Sequence, residues 1–417
     1  MNEAAGRDVS GPFSSFLDQP GVPIVSGDVQ CDATAARVTL KQQRYVPLGS
    51  VLEPQLWQIP VCMKWDSGRE CVLLTKASET FPLPSCPKWL LLNEEMKGYY
   101  RSAPATAALA TNPALSIGER LGTSLDLAAL VQRGDVPIDE QLAMVGPNAA
   151  SGDRFLIETA ANAVDALVPL LSGKERAKLA AFTQRHFGPK WKEIGLTPRD
   201  DESDDVRLLR SKLFATLAIT GEDKVLRAEA VKLMRAWLVK RDSLESEMLF
   251  VVSRTAGLSN DRGLYDALNK ALLVEKDQQQ RSKLLTALAF FSSPALAKKS
   301  LSLVLDANFD SRDTLNVAWS LSARDETRDL VFEWLRKNYE RLVTRLPDGW
   351  DANLVYMAAG FCSKQRRAEV IAFFEPRTTK AIGGPREFAS AMESYDQCIA
   401  WRELQLPKAR AYLERWK

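Results

Sequence analysis

The sequence predicts a mixed, mainly α molecule in two parts, a small β-sandwich followed by a large helical solenoid. Three observations predict it. Ahead of Trp89, apolar residues recur at every second position and prolines interrupt them, as in short half-buried strands. Beyond Ser116, apolar residues recur at helical spacing over about three hundred residues. Between them lies Trp89 to Arg101, WLLLNEEMKGYYR, which reads as the turn that hands the last strand to the first helices.

The first segment reads as a short helix. Val9, Phe13, Phe16 and Leu17 fall at i, i+4, i+7 and i+8, one face of a helix, and Pro12 fits only near a helix start. A helix this short is marginal unless its apolar face is covered, by a later part of the chain or by something missing. Strands are expected around Val38 and Leu40, across Trp57, Ile59, Val61 and Met63, at Val72 to Leu74, and at Phe81 and Leu83. Pro60, Pro82, Pro84 and Pro87 confine several of these to edges or strand ends. Gly98 stands where a backbone needing positive φ would place glycine, followed by Tyr99, Tyr100 and Arg101 at the junction. Pro104 to Pro113 is a linker of small residues.

The second part is helical. Leu121, Leu125, Ala128 and Ala129 form one apolar stripe that stops at Gly134. Leu156, Ala160, Val164, Leu167 and Leu171 form the next. Leu208 to Leu238 reads as a helix ended by Gly221 and a return helix from Ala228 through Trp237. The acidic run Asp200 to Asp205 precedes it, where negative charge favours a helix N-terminus. Breaks at Gly257, Ser292-Ser293-Pro294, Pro347-Asp348-Gly349 and Gly383-Gly384-Pro385 divide this half into antiparallel pairs. Units of roughly thirty to forty residues are in the range of HEAT- or ARM-like repeats, which stack and leave one concave surface. Trp237, Trp334 and Trp401 lie in helical registers and are read as core.

Bulk chemistry excludes several functions. The 55 basic and 53 acidic residues leave a net charge of +2, too little for a global field toward nucleic acid or anionic membrane. No apolar run is long enough to span a bilayer, and the first residues lack the basic start and apolar core of a signal peptide. Cys31, Cys62, Cys71 and Cys86 cluster in the β part, far from Cys362 and Cys398. That clustering points to disulfides and an oxidising compartment, the periplasm or the exterior, with four thiols in a cytosolic protein as the alternative. Of the three possible pairings, Cys71 with Cys86 and Cys31 with Cys62 is the one preferred here. The single histidine, His186, is read as a group near a helix end and not as a ligand or base. One histidine rules out HExxH and any second imidazole ligand. Walker, G-x-G-x-x-G and G-x-S-x-G motifs are absent, and Glu94-Glu95 and Asp204-Asp205 read as solvated faces or helix starts.

Asn93 followed by Gly98, Tyr99, Tyr100 and Arg101 resembles the close of the β-sandwich domain in the M1 family of zinc aminopeptidases, the gluzincins. The resemblance extends along the chain. GRDVSGPFSSFLDQPGVPIV, with Gly21, Val22 and Pro23, is similar to the exit from that family's catalytic domain. LKQQRY followed by a Trp-x-Ile-Pro segment matches the order of its sandwich. Glu119 and Arg120, Leu209-Arg210-Ser211, and Trp334, Asn338 and Leu342 resemble its helical segments. The small-residue linker departs from the family, whose members place a Tyr and a Trp there.

The resemblance covers only the C-terminal portion of such an enzyme. It implies the remnant of a catalytic-domain helix at 1–17, a sandwich at 18–103, a linker at 104–115 and a solenoid at 116–417. It implies no catalytic residue, metal ligand or cofactor in this chain, and zinc in the full-length enzyme. The expected partners are a missing N-terminal catalytic domain and peptide substrates, with neither nucleic acid nor a membrane span. The solenoid would enclose and gate the chamber in which the parent enzyme removes N-terminal residues. Arg210 is a candidate chamber-facing residue, with a salt bridge across a helix pair as the competing reading. In some relatives an Arg on a loop between helices holds the peptide's C-terminal end. That place here is Phe290-Phe291, so the role is not carried over. A stand-alone solenoid that binds peptides or proteins without catalysis is the alternative.

Overall fold

A computed structural model describes residues 9–32 and 35–416. By their contacts the residues form two compact units. One holds the chain up to Ala163 with Glu403–Arg415, and the other holds Val164–Arg402 with Trp416.

The first unit opens with helix α1 (Ser10–Leu17), none of whose residues is buried. The part of the expected first segment at residues 1–8 lies outside the described residues. A sandwich of two sheets follows. Strands β1 (Pro23–Cys31), β2 (Ala36–Arg44), β5 (Ser78–Leu83) and β7 (Arg101–Ala103) form one sheet in the order β5-β2-β1-β7. Strands β3 (Ile59–Trp65), β4 (Gly68–Leu74) and β6 (Leu90–Leu91) form the other in the order β4-β3-β6. Both contribute alternate residues to one core, including Val38, Leu40, Trp57, Ile59, Val61, Met63, Leu83 and Tyr100.

Register decides the disulfides. In the β3–β4 hairpin Cys62 stands directly opposite Cys71, and those two are bonded; Cys31 is bonded to Cys86. The expected pairing of Cys71 with Cys86 and Cys31 with Cys62 is therefore replaced by the nested one, in which Cys31–Cys86 encloses Cys62–Cys71. Cys362 and Cys398 form a third bridge, within the second unit.

The expected linker is not bare. Its residues form the short helix α2 (Ala107–Ala110) and bury Leu109, Ala110 and Leu115. Helix α3 (Ile117–Arg133) carries a capping box between Ser116 and Glu119 and ends at Gly134 with φ +83°. Its buried stripe is Glu119, Thr123, Ser124, Asp126, Leu127, Leu130 and Val131, and Leu125 of the expected stripe is exposed. Helices α4 (Ile138–Ala143), α5 (Val145–Ala149) and most of α6 (Arg154–Asp165) complete the unit, joined by the last residues of the C-terminal helix. There the fully buried Gln405 accepts from Ile138 N–H and donates to the carbonyls of Val131 and Val136.

The second unit runs from the end of α6 through α7 (Gly173–Ile194) and a two-layered stack. One layer holds α8 (Asp204–Ala215), α10 (Ser246–Gly257), α12 (Gln278–Leu288), α14 (Ser311–Ser322) and a 3-10 segment (Trp350–Phe361), each against the next. The returning helices are α9 (Lys224–Val239), α11 (Arg262–Val274), α13 (Pro294–Leu303), α15 (Asp325–Val343) and α16 (Lys364–Thr378). Helix α17 (Gly384–Arg415) is the last element. The glycine and proline breaks fall where the pairs turn: α10 ends at Gly257, α13 starts at Pro294 and α17 starts at Gly384. Leu156, Ala160, Val164, Leu167 and Leu171 are all buried, as is Trp237, whereas Trp334 and Trp401 are only half-buried.

Candidate functional site

The junction stretch is held by its own polar groups. Asn93 clamps the turn: its amide donates to Gly98 O at 3.0 Å and its carbonyl accepts from Gly98 N–H at 2.8 Å. The positive φ expected at Gly98 falls instead on Glu95 (53°) and Met96 (54°). Gly98 is needed for space, since a Cβ there would lie 2.1 Å from the Tyr100 ring. Tyr100 is buried in the sandwich core and donates from its hydroxyl to Leu92 O at 2.5 Å. Burial pushes its phenol pKa up. Tyr99 points the other way, 70% exposed, with its edge against the Phe16 ring.

Two buried carboxylates on α3 secure the turn and the strand after it. Glu119 accepts from Lys64 Nζ at 2.7 Å, from Ser116 N–H at 2.9 Å and from Glu95 N–H at 3.2 Å. Burial alone would raise its pKa, but those donors outweigh it and hold the carboxyl below its ordinary value. Asp126 accepts from Ser102 N–H at 3.0 Å, Ser102 Oγ at 2.6 Å and Arg101 Nη1 at 3.3 Å. Its burial prevails over these bonds, and its pKa is raised. Thus Asn93, Gly98 and Tyr100 hold the turn within the sandwich, Arg101 ties it to α3, and Tyr99 is exposed against Phe16.

Arg210 is not a chamber-facing group. It is 1% exposed, donates from Nε to Gly195 O at 3.0 Å and pairs both terminal nitrogens with Glu202 at 2.5 Å. The bidentate guanidinium pulls the Glu202 carboxyl down to about 2. From the middle of α8 the arginine is a strut that holds Gly195 and Glu202 of the connection between α7 and α8. Phe290 and Phe291 are buried at the turn between α12 and α13. Arg324, from the next turn, donates to Phe290 O and lies 5.1 Å over its ring. Burial, then the charge of Arg254, pulls the Arg324 pKa down to about 10. Local sequence carries no sign of Arg324, because it reaches the neighbouring repeat from more than thirty positions away.

His186 lies in mid-helix in α7, not at an end. Its ring meets Phe182 edge-on at 4.5 Å and Trp416 at 6.0 Å, and burial lowers its pKa. Among the described residues, no three His, Cys, Asp or Glu side chains gather as a metal site would require. The donors present do not fit zinc: the histidine faces two aromatic rings, and all six cysteines are in disulfides.

The arrangement defines a sandwich and a helical stack whose buried charges serve as struts. A sequence profile of the ERAP1-like C-terminal domain matches residues 89–396. The chain belongs to that family, and it corresponds to the C-terminal portion of M1 aminopeptidases. Aminopeptidase 2, mitochondrial, of Saccharomyces cerevisiae is 21% identical, with 99% of this chain aligned to 44% of the relative. Aminopeptidase M1 of Arabidopsis thaliana is 24% identical, over 92% of this chain and 46% of the relative. Aminopeptidase N of Lactococcus lactis subsp. lactis is 21% identical, over 91% and 46%. The chain spans about half the length of the curated relatives it matches.

Proposed function

We propose that this chain is the non-catalytic half of a metallo-aminopeptidase, closing and gating the chamber in which the parent enzyme removes N-terminal residues from peptides. The observation that carries the reading is the asymmetry of the match: nearly all of this chain aligns with less than half of each relative. In this reading zinc and the catalytic glutamates belong to the half that precedes the sandwich. Residues 1–17 are the end of that half, 18–103 the sandwich, 104–115 the joint and 116–417 a HEAT-like arch over the chamber. The disulfides favour an exported enzyme.

The test is hydrolysis of an aminoacyl chromogenic substrate by the purified chain in the presence of zinc, alone and mixed with a separately made zinc-binding half from the same genome. The expected result is no turnover alone and restored turnover in the mixture. Turnover by the chain alone overturns the reading. A mixture no more active than the zinc-binding half favours the free-standing scaffold.

A further inference from the structure

We propose that the Cys362–Cys398 bridge is a thiol-exchange site, where a small thiol carrying carboxylates docks beside Arg402 and forms a mixed disulfide with Cys398. The site lies within the second unit and does not depend on the proposed function.

A hollow of about 450 Å³ opens onto the bridge, in the range of small-molecule pockets. Both cysteines line it. Ala166, Pro169 and Leu170, from the connection between α6 and α7, form an apolar wall. The charged lining is Asp325, Arg328 and Arg402. Asp325 is paired with Arg328 at 2.7 Å, so those two charges offset each other. Arg402 is exposed and pairs with no carboxylate among the described residues. The hollow is left with one uncompensated positive charge beside a disulfide.

The two sulfurs are not equivalent. Cys362 immediately precedes Ser363, the N-cap of α16, whose hydroxyl accepts from Arg366 N–H. The positive end of a helix favours a thiolate there. Two guanidiniums add to it: those of Arg328 and Arg366 lie 5.8 and 5.0 Å from the ring of Phe361, the preceding residue. Arg328 reaches this place because residue 360 is glycine; a Cβ there would stand 2.9 Å from its Nε. Cys398 lies inside α17, far from either end of the helix, and is less buried than Cys362. Arg402 follows it by one helical turn on the same face.

In thiol–disulfide exchange the thiol of lower pKa leaves faster, and the attacked sulfur is the accessible one. Both rules select the same direction. The incoming thiolate, its carboxylate held by Arg402, attacks Cys398 Sγ. The bond between the two cysteines breaks, its electron pair stays on Cys362 Sγ as a thiolate, and a new disulfide joins the small thiol to Cys398. One disulfide replaces another, so no outside oxidant or reductant is consumed beyond the thiol itself. Exchange opens the loop, of sequence separation 36, that contains all of α16. Cys362 has φ +48°, a left-handed conformation that residues with a Cβ seldom adopt, and opening frees it to relax.

The experiment treats the full chain with reduced glutathione, which carries two carboxylates, or with uncharged 2-mercaptoethanol. Initial rates are read by quenching, alkylating free thiols and mapping peptides by mass spectrometry. Cys31–Cys86 is the internal reference: both its cysteines are exposed, so exposure alone would make it react first. The expected result is that glutathione opens Cys362–Cys398 faster than Cys31–Cys86, with glutathione on Cys398 and the alkyl group on Cys362. Arg402→Gln, which removes no ion pair among the described residues, slows glutathione at this bridge by about threefold, as one surface charge would, and leaves 2-mercaptoethanol unchanged. Prior reaction of Cys31–Cys86, glutathione on Cys362, or an R402Q effect that is the same for both thiols overturns the proposal.

Discussion

Gly98→Ala puts the junction to a quantitative test. The added methyl would sit 2.1, 2.8 and 2.9 Å from three atoms of the Tyr100 ring, where carbon atoms rest about 3.5–4.0 Å apart. The ring has to move by about an ångström or more to restore ordinary contact. It has little room, because Tyr100 is buried in the sandwich core and its hydroxyl is bonded to Leu92 O at 2.5 Å. Overpacking of this kind costs about 1–3 kcal/mol, and loss of the hydroxyl bond about 0.5–1.5 kcal/mol more. The expected loss is about 2–4 kcal/mol, confined to the unit that holds the sandwich. Two units need not unfold together, so the assay is native-state hydrogen exchange of the β1–β2 and β3–β4 amides in rising urea. The decisive comparison is the same substitution in a Tyr100→Leu background. Gly98 is not in the left-handed region, so without the ring in its way alanine is conformationally acceptable there and the substitution becomes neutral to stabilising, by up to about 1 kcal/mol. An equal cost in both backgrounds would refute the steric account and restore a backbone explanation.

Three further outcomes follow. Removing the Cys31–Cys86 bridge, which closes 55 residues, costs about 4 kcal/mol by chain entropy; removing Cys62–Cys71, which closes 9, has a ceiling of about 2.5 kcal/mol that the paired hairpin lowers further, so thermal melts of the two Ser-pair variants differ clearly. The Glu202–Arg210 pair stabilises its unit fully above the ordinary carboxylate pKa, and that contribution is lost as pH falls toward about 2; Glu202→Gln removes this part of the acid dependence in circular-dichroism titrations. Trp237→Ala empties a fully buried site on α9 and costs about 3–5 kcal/mol in urea unfolding of the helical stack.

What was legible in the sequence, and what was not, divides along physical lines. Helix pairs announced themselves through Gly257, Pro294 and Gly384, because a chain that must reverse needs residues that break a helix. The stripe Leu156, Ala160, Val164, Leu167 and Leu171 was readable because its covering surface is apolar. Helix α3 was misread for the opposite reason. Glu119, Thr123, Ser124 and Asp126 are buried to serve the sandwich and turn, so its true face looks polar while Leu125 is exposed. Disulfide pairing was hidden because spacing does not reveal strand register; only the alignment of Cys62 with Cys71 settles it. The need for glycine at position 98 was visible, but its cause, a tyrosine ring two residues on, was not. Arg210 was caught between two readings, and its neighbours Gly195 and Glu202 decide for the strut. Arg324 left no local signal, since its partner Phe290 lies in the preceding repeat.

In the proposed function this chain supplies closure and not chemistry. The most direct measurement is kcat/KM of the separately made zinc-binding half, with and without this chain, on a short peptide and on a folded protein with an accessible N-terminal residue. A gating half raises turnover of the short peptide and suppresses cleavage of the folded protein. If both rates stay where they were on saturation with this chain, closure is not its function.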